Sequence, residues 1–272
     1  MPMNGEKHTF SFIDAHIHVD LYEEAELDGL LEEAFAEGAA AVVAVSMHLA
    51  SSILNRELAI RHPGRVHPAY GFHPEQPIHT GAELDELFGW IRMRHEAGEP
   101  FAIGEVGLPY YTRTASESAG IAFDEAAYLE LLARFAALAT ELDRPIVLHA
   151  VYEDADKACD ILERHGVRRA HFHWFKGSQA AVRRMAASGY MISITPDVAY
   201  EEEIQQLVKQ YPLELMMVET DGPWPFEGPY TGKQTRPTMA ADAAQHIARI
   251  KERPAEQIAE ALLANTKRFY GV

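Results

Sequence analysis

The sequence predicts an α/β fold of the (β/α)8 TIM-barrel class, and three observations carry that expectation. Short apolar runs recur eight times along the chain, and each is followed by a stretch with helical spacing. The length of 272 residues fits the roughly 250 usual for such a barrel. With 47% hydrophobic residues the chain can bury a substantial core. No linker rich in Pro, Gly or Ser divides it, so one domain over residues 1–272 is expected. An open doubly wound sheet is the alternative, disfavoured because no Gly-rich phosphate fingerprint follows the first strand.

In chain order the expected strands are TFSFID, AAVVAVS, RVHPAYG, FAIGEVG, PIVLHA, RRAHFHW, GYMISI and LELMMVETD. Their near-continuous apolar character suits a parallel sheet covered on both faces rather than an alternating, half-exposed one. Between them, YEEAELDGLLEEAFAEG repeats apolar residues at three- and four-residue steps and stops at Gly38. The segment FDEAAYLELLARFAALATEL does the same before Asp143 and Pro145. DGPWPFEGPYTGKQTRP, dense in Gly and Pro, is expected to be a long irregular loop on the face that carries function in a barrel.

Composition narrows the function classes. With 24 basic against 41 acidic residues the formal charge is -17, which argues against a surface built for nonspecific phosphate-backbone contact and leaves room for a local basic pocket. The single cysteine, Cys159, can form no disulfide within the chain, and its setting DKACDILERHG reads as the inward face of a helix. The opening MPMNGEKHTF has no apolar signal region, and no run approaches the ~18 apolar residues that span a bilayer. A soluble, cytoplasmic setting with no membrane and no stable protein partner is expected.

The candidate site comes from where polar residues fall within the apolar runs. In FIDAHIHVD, His16 and His18 end the first strand; His73 follows the third; Glu105, His149, His173 and Asp221 end the fourth, fifth, sixth and eighth. All are carboxyl ends, which a parallel barrel gathers at one mouth. A period of two puts His16 and His18 on one side of their strand, as two ligands of one ion require. His16, His18, His149 and His173 with Glu105 and Asp221 suit one or two borderline divalent ions such as Zn, Mn, Fe or Co better than Ca. Two ions about 3.5 to 4 Å apart can share a hydroxide, and Asp221 would act as general base for it.

The other histidines carry a plainer expectation. His8, His48, His62, His79, His95, His165 and His246 sit among charged neighbours, and His67 lies early in its strand; surface or packing roles are expected. His171 lies one step deeper than His173 on the same strand face. It is either a support for a ligand, and the substitute should His173 be displaced, or a polar filler of the barrel.

The motifs FIDAHIHVD, GFHPEQP, AIGEVGLPYY, PIVLHA, HFHWFKGS and VETDGPWP, in this order across almost the whole chain, resemble those of the TatD-like metal-dependent hydrolases, a branch of the amidohydrolase superfamily. The resemblance implies His16, His18 and Asp221 around one ion, His149 and His173 around a second, Glu105 shared, and His73 close to substrate. It implies magnesium or another divalent ion, two Zn, Mn or Mg in all, and hydrolysis of a phosphodiester, as in a deoxyribonuclease acting on a nucleic acid end. The chain departs from the family pattern at Pro109, where Asp is usual, at Val151, where Arg is frequent, at His173-Trp174-Phe175-Lys176-Gly177 and at a shortened Arg236-Pro237. These changes spare the expected metal ligands and alter the expected substrate contacts. Tyr110, Tyr111 and Trp224 are the candidates to stack on a base, and Lys176, Lys233 and Arg236 those to meet a phosphate. Two alternatives stay open: hydrolysis of a small amide, ester or lactone, and a non-catalytic, metal-bound binding protein.

Overall fold

The computed structural model describes residues 10–78 and 81–272, so that His8 and His79 lie outside the described residues. Eight strands are present: β1 Phe12–Ile17, β2 Ala39–Ala44, β3 Val66–Tyr70, β4 Ala102–Gly107, β5 Ile146–His149, β6 Ala170–Phe172, β7 Met191–Ile194 and β8 Met216–Val218. Their order in the sheet is the order of the chain. The helices are α1 Leu27–Ala36, α2 Leu49–Arg61, α3 Gly81–Glu96, α4 Tyr110–Ser118, α5 Glu125–Glu141, α6 Glu153–Arg164, α7 Gln179–Ala187, α8 Glu202–Gln210, α9 Met239–Ile250 and α10 Ala255–Tyr270. Alternation of parallel strand and helix in this order is the (β/α)8 barrel. No helix among the described residues is long and apolar enough to cross a membrane.

The chain comprises two compact units. One takes in residues up to Ala44, Leu58–His67 and Ile192–Val272. In it β1 pairs with β2 and β7 with β8, all parallel. The ends of β1 and the segment after β8 are tied by Asp221 N–H donating to His16 O at 2.9 Å and His18 N–H donating to Gly222 O at 2.8 Å. α10 packs on β1 and β8, and α9 packs on α10. The β1 residues are buried throughout, which explains why its sequence shows no polar alternation except at functional positions.

The second unit takes in Val45–Glu57 and Pro68–Met191. Here β3, β4, β5 and β6 pair in succession, all parallel. α5 covers β4 with Leu131, Leu132, Phe135 and Ala136, the apolar face expected from its periodicity. Arg113 of α4 is buried and reaches Glu153 Oε1 at 2.8 Å and Asp154 Oδ1 at 3.0 Å, fastening α4 to α6. Cys159 is buried on α6 as expected, and burial pushes its thiol up to about 12, so it stays protonated and inert.

The strand boundaries differ from expectation at the carboxyl ends. β1 runs past the expected Asp14 to Ile17, which pairs with Ala44, and it therefore contains His16. β6 and β8 are shorter than expected and stop at Phe172 and Val218, leaving His173 and Asp221 just beyond their ends. Asp221 has φ of 48° and Trp174 one of 36°, left-handed values that no strand continues through. Helix α4 precedes α5, the helix expected at FDEAAYLELLARFAALATEL, and DGPWPFEGPYTGKQTRP is irregular apart from one short turn at Gly228–Tyr230, as expected.

Gly107, at the carboxyl end of β4, is where the backbone leaves no room for a side chain. It stands opposite His149, with φ of 155°, and a Cβ there would lie 1.9 Å from the His149 carbonyl oxygen. Gly107→Ala is expected to lower stability by about 1–3 kcal/mol or more through forced separation of β4 from β5. Urea unfolding measures this, and an unchanged midpoint would mean that β4 and β5 do not approach as described.

Candidate metal centre

In the first unit the β1 end presents His16, and His18 follows it on the same face, their rings 5.3 Å apart edge to face. Asp221 meets both: its Oδ1 is 3.3 Å from His16 Nε2 and 3.5 Å from His18 Nε2. Ligand atoms of the three residues all lie within 4.8 Å of one another, and all three side chains are buried. Asp221 Oδ1 is a buried acceptor with no hydrogen bond. A buried carboxylate oxygen in that state is costly unless a cation answers it, so the site fits a divalent ion. Two imidazoles and a carboxylate are the donor set of Zn- or Mn-type sites.

Asp14, which the sequence reading passed over, holds this group in place. It accepts from His16 N–H at 3.3 Å, Thr220 N–H at 3.0 Å and Thr220 Oγ1–H at 2.5 Å. One carboxylate thus ties the β1 backbone to the segment carrying Asp221. Burial pushes the Asp14 carboxyl up to about 8, a rise that the hydrogen bonds from Thr220 and His16 only partly offset. The period of two that joined His16 to His18 also runs back to position 14, and was the available signal.

In the second unit Glu105 is the hub. Its side chain is fully buried, and Oε1 lies 2.7 Å from His173 Nε2, 3.2 Å from His149 Nδ1 and 3.4 Å from His73 Nε2. Glu105, His149 and His173 form a second group whose ligand atoms all fall within 4.8 Å. Its donor set, two imidazoles and a carboxylate, fits the same class of ion. His73 Nδ1 accepts from the Glu75 N–H at 3.1 Å, which leaves its proton on Nε2, toward Glu105. His171 is buried on β6, and no candidate donor group among the described residues includes it; His173 is the residue of that strand that meets Glu105.

Glu75 is a second residue the sequence reading missed. Its Oε1 lies 3.2 Å from His149 Nε2, and it also accepts the N–H groups of Tyr111 and Thr112. Burial acts to raise the Glu75 carboxyl, but hydrogen bonds from His149 and Thr112 outweigh it and hold the group down at about 2. His149 moves the opposite way: burial acts downward, and Glu105 and Glu75 together raise it. Position 75 lies in a loop, where no periodicity marks it.

The residues expected to contact substrate are placed within each unit as follows. Tyr110 and Tyr111 open α4; Tyr111 is half exposed with its ring 6.1 Å from His149, and Tyr110 lies against Tyr152 at 4.8 Å. Lys176 Nζ stands 5.9 Å over the Trp174 ring, and Lys233 Nζ 5.7 Å over Tyr230. In the first unit the Trp224 side chain is exposed, and its backbone N–H donates to Asp221 O at 3.2 Å. Arg236 is ion-paired with Glu33 of α1 and bonded to Gln234, so its charge already has a partner. His62, one of the histidines given a surface role, contacts Asp28 and Phe35.

The family model described as TatD related DNase matches residues 13–271. The chain belongs to the TatD-related DNase family. Among TatD relatives it is 33% identical over 257 residues to an uncharacterized metal-dependent hydrolase of Haemophilus influenzae, covering 94% of this chain and 98% of that protein. It is 28% identical over 266 residues to the human deoxyribonuclease TATDN3, covering 95% and 94%. Among solved structures, the TatD homologue YjjV of Escherichia coli superposes with a TM-score of 0.83 at 26% identity, covering 96% of this chain and 98% of that one. That likeness extends the barrel assignment over nearly the whole of this TatD chain.

Proposed function

We propose that this TatD-family protein is a divalent-metal-dependent hydrolase that cleaves phosphodiesters, with a DNA end as its substrate class. The carrying observation is Asp221 Oδ1, buried without a hydrogen bond between His16 and His18, where a structural role would have supplied a donor. The name of the human relative supports the substrate class, and the span of the family model supports reading the chain as one hydrolase domain.

In this proposal His16, His18 and Asp221 hold one ion and Glu105, His149 and His173 a second, both of the Zn, Mn or Mg kind. When bound, such ions lower the pKa of a coordinated water and neutralise charge on a phosphoryl oxygen. Asp221 takes the proton of the attacking water and passes it to the leaving oxygen. His73, with its proton on Nε2, donates toward the reacting group. Tyr110, Tyr111 and Trp224 offer faces on which a base stacks, and Lys176 offers charge to the flanking phosphate. Arg236 offers its charge to a phosphate only by leaving Glu33. The single cysteine, buried and protonated, supports a cytoplasmic setting.

Dialysis against a chelator is expected to abolish hydrolysis of bis-nitrophenyl phosphate and of a short DNA with a recessed end, with recovery on adding back one divalent cation. The melting temperature should fall in parallel, since a ligand present at 100 times its Kd contributes about 2.7 kcal/mol. Cleavage that persists after metal removal refutes the proposal. A second reading, hydrolysis of a small ester, amide or lactone, is favoured by the formal charge of -17 and by the pairing of Arg236 with Glu33, both adverse to a polyanion. Rates on ester and lactone substrates beside the phosphodiester, per mole of metal-loaded protein, decide between the two.

A further inference from the structure

The loop after β3 places one carboxylate against three partners. Glu75 Oε1 accepts the N–H of Tyr111 at 2.9 Å, Oε2 accepts that of Thr112 at 2.7 Å, and Oε1 lies 3.2 Å from His149 Nε2. Tyr111 and Thr112 are the second and third residues of α4. The residue flanking that helix, Pro109, supplies no side-chain acceptor. Helix N-termini leave N–H groups that a Ser, Thr, Asp or Asn at the cap normally meets. Here the acceptor comes instead from a loop 36 positions earlier in the chain, and it meets both donors.

Glu75 and Glu105 each stand 3.2 Å from a ring nitrogen of His149, on Nε2 and on Nδ1. A carboxylate only accepts, so a His149 that gives one nitrogen to an ion keeps its proton on the other, and Glu75 holds that proton on Nε2. That leaves the lone pair on Nδ1, the nitrogen that lies 3.2 Å from both Glu105 Oε1 and His173 Nε2. A metal ligand whose second nitrogen is bound by a carboxylate is fixed in tautomer and ring plane. The loop bearing Glu75 is itself immobilised: His73 N–H donates to Met47 O at 2.9 Å, Gln76 Nε2 donates to Met47 O and His73 O, and Tyr128 O–H donates to Gln76 O.

We infer that Glu75 is a positioning residue that turns the Nδ1 lone pair of His149 toward the Glu105 group and, by capping α4 in place of Pro109, stands Tyr110 and Tyr111 beside that ring. This assignment rests on the hydrolase reading for its metal but not for its helix cap. Each role has its own variant. Glu75→Ala removes both, whereas Glu75→Ala combined with Pro109→Asp returns a capping acceptor to α4 and leaves His149 without its carboxylate.

In full-length protein, Glu75→Ala is expected to weaken Zn2+ binding by roughly 10- to 100-fold in titration against a chromophoric chelator, and to lower the melting temperature. Adding Pro109→Asp should recover the melting temperature and not the Zn2+ affinity. Imidazole 15N shifts of the Zn2+-loaded wild type should report His149 bound through Nδ1 and protonated on Nε2, becoming a mixture in both variants. Wild-type Zn2+ affinity and tautomer in Glu75→Ala would overturn the inference, as would full recovery of both by Pro109→Asp, which would make Glu75 a helix cap only. A wild type that binds no Zn2+ refutes the hydrolase reading instead, and the capping role of Glu75 is then decided by whether Pro109→Asp recovers a melting temperature that Glu75→Ala has lowered.

Discussion

Asp221→Asn is expected to lower phosphodiester hydrolysis by roughly 10²- to 10⁴-fold, the range associated with losing a positioned general acid or base. The substitution isolates chemistry from folding for a backbone reason. Asp221 has φ of 48°, a left-handed value that Asn tolerates and most residues do not. Its N–H bond to His16 O does not depend on the side chain. Circular dichroism and the melting temperature should therefore stay near wild type while the buried oxygen between His16 and His18 loses its charge. A folded Asp221→Asn protein with wild-type kcat would remove Asp221 from the reaction. Ala or Leu would be a poorer test, because the left-handed backbone penalises both and mixes folding with catalysis.

Glu105→Gln should act through metal retention. Three imidazoles face one buried carboxylate oxygen at 2.7, 3.2 and 3.4 Å, and the amide that replaces it is neutral and half donor. Loss of the metal from this group is expected to cost about 4 kcal/mol of charge stabilisation, on the order of 10³-fold in rate. Elemental analysis after gel filtration should show fewer ions per chain than in wild type, with the deficit absent in Asn or Gln substitutions at exposed positions such as Glu33. Wild-type metal content together with wild-type turnover would mean that Glu105 serves only to neutralise its histidines.

These two residues also differ in how they are held, which bears on how each variant should behave. Asp221 depends on a hydrogen-bonded frame, Asp14 with Thr220, that survives the loss of its carboxylate. Glu105 sits on β4 two residues before Gly107, where the strand closes on His149 without room for a methyl group. The β4 end is thus rigid, and a change there should be felt at His149 through packing as well as through charge.

The sequence by itself determined the barrel class and the eight strands, and it marked the polar residues at their ends. Buried parallel strands must be apolar along their length, so a His, Glu or Asp at a strand end stands out, and a period of two joins His16 to His18 without reference to any other segment. The TatD resemblance of the same motifs was legible for that reason, and the family match extends over residues 13–271. Only the tertiary structure decided which of His171 and His173 meets Glu105, that Asp14 binds Thr220, and that Glu75 binds His149 and the start of α4. The Glu75–His149 and Asp14–Thr220 pairings join residues 74 and 206 positions apart through side chains from loops and strand ends. No local periodicity encodes such a pairing, because it is set by how strand lengths, left-handed turns and helix starts fall in space.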